Sequence, residues 1–311
     1  MDDNILILGG LGFIGKNLIK QFQQHNVDKI VVVSRTDQNI NKDQNKENII
    51  IELANFDNLA QIIAIIKCHK ITIVIHLISG LIPSSGSLMF KDELQRTILP
   101  TYELIDYLAT NNITLLFFSS GGAVYGDVQN SINENTSLNP INYYGFSKML
   151  IEQYITFTAK NSALKYLILR PSNVYGEHQN LNKNQGFIGV AVQKVISGQQ
   201  VEIWGDGSVI RDYVNVEDVA NITVLLLKNK ILNTTLNLST GKGLSLLEIL
   251  KIIEQKTTKL PQILFRDCRK VDASTIVLSN DKLLQHLSYH FKPVATGIAE
   301  YVEYYKNEQG E

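Results

Sequence analysis

Gly9-Gly10-Leu11-Gly12-Phe13-Ile14-Gly15 follows directly on the apolar run Ile5 to Leu8 and leads directly into the amphipathic stretch Phe13 to Phe22. Strand, glycine turn and helix in that order build an anion cradle. Gly9 permits the tight turn, and Gly12 lets the backbone approach a pyrophosphate. Gly15 lets the helix pack closely on the strand, so that the free N–H groups of the helix N-terminus face the anion. The glycine pattern alone is a weak signal, because caps and turns also use glycine. The strand before it and the helix after it make it read as a dinucleotide-binding loop.

The chain continues in the same rhythm. Ile30 to Val33, Ile71 to His76, Thr114 to Phe118 and Tyr166 to Leu169 are short, β-branched and unalternating, the pattern of strands buried on both faces. Helical stretches lie between them, near Leu59 to Lys67, Asp92 to Ala109 and Tyr144 to Ala159. The expected fold class is therefore α/β: a Rossmann-type doubly wound parallel sheet, with a smaller C-terminal α/β substrate-binding region. The rhythm changes after Gly176, which divides the chain into residues 1–175, a dinucleotide-binding domain to which later segments return, and residues 176–311, mainly substrate-binding. The Asn/Lys/Gln-rich segment Asp37 to Asn48 reads as a solvated loop.

Composition narrows the function by exclusion. The 311 residues carry a formal net charge of -1, which gives no electrostatic argument for nucleic acid or an anionic membrane. Cys68 and Cys268 form no metal-spaced pair and suit a reducing compartment, with buried thiols as the plain expectation. The acidic start Met1-Asp2-Asp3-Asn4 does not resemble a signal peptide, and the apolar run Ile71 to Ile82 is too short and too polar to span a bilayer. A cytoplasmic protein is expected. His286 and His290 are spaced i,i+4 but have no further ligands beside them, so no metal is expected, and His76 reads as a satisfied core histidine.

Tyr144-Gly145-Phe146-Ser147-Lys148 carries the chemistry, with a phenol and an ammonium on one helix face. A free phenol titrates near 10 and is a poor base at neutral pH, but a neighbouring ammonium favours the phenolate. Such a phenol can take a proton from a sugar hydroxyl as hydride leaves the same carbon, or return one during reduction. By itself the pair reads more readily as a surface i,i+4 contact; beside a dinucleotide cradle the chemical reading is favoured.

The chain resembles the extended short-chain dehydrogenases/reductases of the NAD-dependent epimerase/dehydratase family, the UDP-glucose 4-epimerase-like enzymes. The resemblance rests on the glycine motif, Val74-Ile75-His76-Leu77, the segment Phe118-Ser119-Ser120-Gly121-Gly122-Ala123-Val124-Tyr125-Gly126 and the Tyr144/Lys148 pair. It continues through Leu169-Arg170-Pro171-Ser172-Asn173-Val174-Tyr175-Gly176, Trp204-Gly205-Asp206-Gly207-Ser208 and Arg211-Asp212-Tyr213, to the tail Leu287 to Pro293. It implies that Tyr144 carries the proton, while Lys148 lowers the phenol pKa and holds the nicotinamide ribose. It also implies NAD or NADP lined by Gly9, Gly12, Phe13, Ile14, Gly15, Ser34, Arg35, Glu52, Leu53, Leu77, Ser119, Tyr144, Lys148 and Pro171. A nucleoside-diphosphate sugar would be held by Asn173 and Arg211 at the diphosphate, and by Glu202 (through its backbone) and Trp204 at the base. Arg269 and Asp272 would complete that site at phosphate and ribose. Asp92 to Ala109 and Asn142 to Ala159 have apolar faces of the type this family uses for a dimeric four-helix bundle, so the resemblance implies a homodimer.

Three positions depart from the family pattern. Where relatives place a Ser or Thr that hydrogen-bonds the reacting oxygen, this chain has Gly121, and Ser120 is the expected substitute ahead of Ser119. Where NAD users place an acidic residue after the second strand, this chain has Ser34-Arg35, which leans towards NADP, although an Arg there also occurs in NAD users. Thr97 stands where relatives often carry Asn, with no evident consequence. The leading expectation is a nucleotide-sugar 4-epimerase working through a transient 4-keto sugar. Dehydration is disfavoured because Gly122-Ala123 occupies the place of the dehydratases' Asp-Glu pair. The alternatives are an NADPH-dependent nucleotide-4-keto-sugar reductase and, in another class, a non-catalytic NAD(P)-binding sensor.

Overall fold

The computed structural model describes residues 3–36, 48–128, 132–179, 181, 186–267 and 275–310. The chain opens with β1 (Asn4–Leu8), α1 (Phe13–Gln24), β2 (Lys29–Ser34), β3 (Ile49–Leu53), α2 (Leu59–Cys68) and β4 (Ile73–His76). Next come α3 (Ser87–Glu93), a π-helical turn (Leu94–Ile98), α4 (Leu99–Thr110), β5 (Thr114–Phe118), the short α5 (Gly121–Val124), α6 (Tyr143–Lys160) and β6 (Tyr166–Pro171). The second part holds β7 (Asn173–Tyr175), α7 (Phe187–Ile196), β8 (Gln200–Trp204), β9 (Ile210–Asn215), α8 (Val216–Lys228) and β10 (Thr234–Leu238). It ends with β11 (Gly243–Ser245), α9 (Leu246–Thr257), β12 (Gln262–Arg266), β13 (Thr275–Ile276), α10 (Asp281–His286) and α11 (Val294–Gln309).

Among the described residues, seven parallel strands form the main sheet, in the order β10-β6-β5-β4-β1-β2-β3. The order reverses between β1 and β4, which opens a crevice at the carboxyl ends of those two strands. Side-chain alternation along β1 splits the core. Ile5 and Ile7 pack with Leu18 and Phe22 of α1 and Val219 of α8 on one face. Leu6 and Leu8 pack with Ile62 of α2, Leu104 of α4 and Ile151 of α6 on the other. Each such aliphatic side chain removed from water contributes about 1.5–3 kcal/mol. Near-continuous apolar strands are the result, because both faces are covered.

A smaller sheet pairs β9 with β7, β11 and β13, while β8 pairs with β12. Its core is built from Ile188 and Val192 of α7, Ile203 of β8, Ile249 of α9 and Ile298 of α11.

Several expectations change in detail. β3 was not among the strands read from the sequence, because it follows the polar segment directly. β10, far beyond residue 175, pairs with β6 in the main sheet, a return of the kind expected of later segments. The helix expected over Asp92 to Ala109 is broken by the π-helical turn. Cys68 is exposed, not buried, because α2 ends on it at the surface; Cys268 lies outside the described residues. His76 is fully buried, and its Nε2 meets Thr101 Oγ1 at 3.1 Å, while its Nδ1 has no hydrogen-bond partner among the described residues.

Candidate active site

The glycine turn joins β1 to α1 at the crevice. Gly9 has a φ of +82°, left-handed backbone that a side chain disfavours. A Cβ on Gly15 would lie 2.3 Å from the Gly10 carbonyl oxygen, so only glycine lets the first turn of α1 approach. Gly12 is the α1 N-cap and offers no side-chain cap, which leaves the N–H groups of the first turn free for an anion. Gly9 also abuts the segment after β4: its Cβ would sit 3.5 Å from Leu77 and Ile78. Ser119, at the end of β5, has a buried hydroxyl with no partner among the described residues. An uncapped helix N-terminus and an orphaned hydroxyl at one crevice fit a dinucleotide.

At the adenosine end, Ser34 closes β2 and its hydroxyl bonds the Thr36 carbonyl at 2.8 Å, while Arg35 is exposed. Leu53 is exposed at the end of β3. Glu52 is bonded to the His69 ring at 2.6 Å, so its carboxylate already has a protein partner.

Asn142 caps α6, accepting from Gly145 N at 2.8 Å, and so sets Tyr144 in the first helical turn. The positive end of that helix favours a phenolate. Lys148, one turn on, is buried; its Nζ donates to the carbonyls of Ile78 and Phe118, each at 3.2 Å, and lies 6.0 Å from the Tyr144 ring centroid. Ser120 is the α5 N-cap, a place where a serine hydroxyl normally bonds the helix backbone. Here it makes no cap bond, and its hydroxyl acts on the Tyr144 phenol, whose pKa it lowers. A Cβ on Gly121 would lie 2.2 Å from Leu278 Cδ1 and close to the Arg170 and Pro171 carbonyls, so a side chain there would point into packed structure.

Burial raises the Tyr144 phenol above its ordinary value; the Ser120 hydrogen bond pulls it back and the Glu93 charge adds to the rise. Burial lowers the Lys148 ammonium to about 8, against Glu93 and Glu152, which favour its charged form. His76 is lowered to about 3, by burial first and by the Lys148 charge second, so the ring is neutral.

A buried ammonium lowered from 10.5 to about 8 costs the fold stability at neutral pH. Lys148→Met is therefore expected to be more stable than the parent chain by about 1–3 kcal/mol at pH 7, after loss of two hydrogen bonds is set against relief of the buried charge. Between pH 8 and 10.5 the folded parent has shed a proton that the unfolded chain still holds, so the parent gains stability as pH rises through that window. Urea unfolding at pH 7 and pH 10 should show the advantage of Met shrinking; a pH-independent difference would exclude the buried charge as its source.

The residues expected at a sugar nucleotide fall on two strand sets. Asn173 on β7 donates from Nδ2 to the Asp212 carbonyl at 2.9 Å, which ties β7 to β9, the strand that carries Arg211. Arg211 Nη1 donates to the Ile210 carbonyl at 2.8 Å. Glu202 and Trp204 lie on β8; Trp204 is partly exposed, and Glu202 bonds Arg266 at 3.0 Å across the β8–β12 pair. Arg269 and Asp272 lie outside the described residues. Among the described residues no group of three His, Cys, Asp or Glu side chains is placed to hold a metal ion, and no helix is long and apolar enough to cross a membrane.

The sequence profile of the NAD dependent epimerase/dehydratase family matches residues 5–238, from β1 through β10. The chain belongs to this family. Its members are NAD-dependent epimerases, dehydratases and reductases, so the chain is an enzyme of that class and the dinucleotide of the family is NAD. A relative from Methanocaldococcus jannaschii, described as "Putative UDP-glucose 4-epimerase", is 30% identical, the match covering 97% of this chain and 98% of the relative. The dTDP-4-dehydro-6-deoxyglucose reductase of Escherichia coli is 27% identical, with 92% of each chain covered. The solved UDP-glucose 4-epimerase of Thermotoga maritima with UDP-glucose superposes with a TM-score of 0.89 at 25% identity, covering 98% of this chain and 99% of that one.

One charged member of the crevice was not singled out from the sequence. Glu93 is buried at the end of α3, near Tyr144 and Lys148. Its signal is a carboxylate four residues before the buried Thr97, on the inward face of that helix.

Proposed function

We propose that this family member is a nucleotide-sugar 4-epimerase acting on a UDP-hexose through a transient 4-keto sugar. The observation that carries the reading is the Tyr144 phenol with the buried Lys148 ammonium one turn behind it, 6.0 Å from its ring centroid, beside a Ser120 hydroxyl that makes no bond to its own helix cap.

When bound, NAD supplies a hydride acceptor that is reversible within one turnover. Tyr144 takes the proton of the C4 hydroxyl as the C–H bond at C4 breaks, and returns it after the keto sugar presents its other face. Ser120 orients the sugar oxygen and the phenol together. Lys148 stabilises the phenolate while it exists and would hold the nicotinamide ribose, and the buried carbonyls of Ile78 and Phe118 fix its position. Gly9, Gly12, Phe13, Ile14 and Gly15 would hold the pyrophosphate, with Ser34, Arg35, Glu52 and Leu53 towards adenosine and Leu77, Ser119 and Pro171 towards nicotinamide. Asn173 and Arg211, with Arg269, would hold the sugar's diphosphate. Glu202, Trp204 and Asp272 would hold its base and ribose. Gly122 and Ala123 offer no carboxylate for acid–base work at C5–C6, which disfavours dehydration.

An NADPH-dependent reductase of a nucleotide-4-keto sugar is the second reading. It is favoured by the end of β2, where Ser34 and exposed Arg35 put no carboxylate against a 2′-phosphate. Denaturing the freshly purified protein and identifying the released dinucleotide separates the two. Retained NAD or NADH, with conversion of UDP-galactose to UDP-glucose in the absence of added reductant, supports the epimerase. An empty protein that binds NADPH far more tightly than NADH and consumes it stoichiometrically supports the reductase.

Ser120→Ala is expected to lower turnover by about 10-fold or more, since it removes the hydroxyl that lowers the phenol pKa. An unchanged rate would show that Ser119 or water does this work. A homodimer in the cytoplasm is part of the proposal: Leu94, Leu99 and Phe157, within the segments expected to pair, are exposed apolar side chains, and light scattering at the mass of one chain would refute it.

A further inference from the structure

Glu93 ends α3 where the helix widens into the π-helical turn, and its carboxylate is almost wholly buried. It accepts from Gly80 N at 2.9 Å, from Thr97 Oγ1 at 3.0 Å and from Ser79 Oγ at 3.4 Å. A Cβ on Gly80 would lie 2.6 Å from Glu93 Oε2, so a side chain there would press on the carboxylate. The turn it grips continues directly from Ile78, whose carbonyl receives the Lys148 ammonium. Phe90, one turn earlier on α3, stacks on Tyr143 and packs against Phe146, which locks α3 onto the first turn of α6. A buried carboxylate thus sits beside the segment that Lys148 bonds and against the helix that carries Tyr144.

We propose that Glu93 is a positioning residue of the Tyr144–Lys148 pair, fixing the Ser79–Gly80 turn and supplying the buried negative charge that the Lys148 ammonium faces. The proposal rests on the role given above to that pair. Lys148 is faced by Glu93 from α3, by Tyr144 and Glu152 from its own helix, and by the neutral His76 from β4. Lys91, Asp92 and Arg96, the other charged groups around the end of α3, are exposed. With Glu93 ionised the pair holds its protons more tightly; without it both the ammonium and the phenol become more acidic. Glu93 would thus favour a neutral phenol in the resting site, ready to give a proton as well as to take one.

The test is a carbon NMR titration of the purified full chain carrying lysines labelled at Cε, with the Lys148 signal assigned by its loss in Lys148→Met. The parent midpoint is expected at about 8. Glu93→Gln, close in shape but uncharged, is expected to move it down by about one pH unit. Thr97→Val removes a hydrogen bond and keeps the charge, so its midpoint should stay at the parent value. An unmoved midpoint in Glu93→Gln, or an equal shift in Thr97→Val, overturns the proposal. Should Glu93→Gln fail to fold, Glu93→Asp withdraws the charge by one methylene and should give a smaller downward shift; no shift overturns the proposal equally. No nucleotide sugar enters the titration, so its result stands apart from that of any substrate assay.

Discussion

Tyr144→Phe is expected to lower turnover by about 10²- to 10⁴-fold while leaving NAD and sugar-nucleotide binding near the parent values. The phenol oxygen is the only group removed. The aromatic ring, the Asn142 cap and the Lys148 hydrogen bonds to Ile78 and Phe118 all remain. A loss confined to turnover therefore identifies a proton carrier. Near-normal turnover would remove Tyr144 from the chemistry, and a parallel loss of NAD binding would show that the substitution had disturbed the crevice itself. The pH dependence carries a further sign. Burial raises the phenol, so in the free enzyme the phenolate population grows with rising pH, and the oxidative half-reaction should quicken on the alkaline side. Loss of the Lys148 proton through about pH 8 opposes that gain, and the observed profile belongs to the coupled pair.

Glu152→Ala is expected to destabilise the chain by about 3–5 kcal/mol, because it strands the Arg170 guanidinium in the core. Arg170 is 6% exposed, and its Nε lies 3.1 Å from each Glu152 carboxylate oxygen. Its Nη1 donates to the Tyr125 hydroxyl at 2.7 Å, which donates in turn to Asn237 Oδ1 at 2.8 Å. The network joins α6, β6 and β10 to Tyr125, just after α5, and so ties the helix carrying Tyr144 and Lys148 to the sheet beneath it. Replacing both ends with apolar residues of similar volume, Glu152→Leu with Arg170→Met, is expected to recover most of the loss. Urea unfolding of the single and double variants checks both statements. A single-variant loss below about 1 kcal/mol would mean that water reaches Arg170.

The cofactor cradle and the Tyr144/Lys148 pair were legible in the sequence because each is local. A glycine turn between strand and helix, or two side chains one helical turn apart, is defined within a few residues. The alternation of apolar strands and amphipathic helices was legible for the same reason, and it implies a parallel sheet with both faces covered. Tertiary structure decided what depends on residues far apart in the chain. That residue 121 has no room for a side chain depends on Leu278, more than 150 positions away, which fills the space such a side chain would need. That Glu93 reaches the crevice depends on a π-helical turn and on a close approach to Gly80 that no period in the sequence announces. The return of β10 to the edge beside β6, and the Arg170–Glu152 pair that β10 helps to enclose through Asn237, follow from sheet order. Propensity and periodicity set which segments become strands and helices, whereas close packing of distant segments selects which polar groups meet inside.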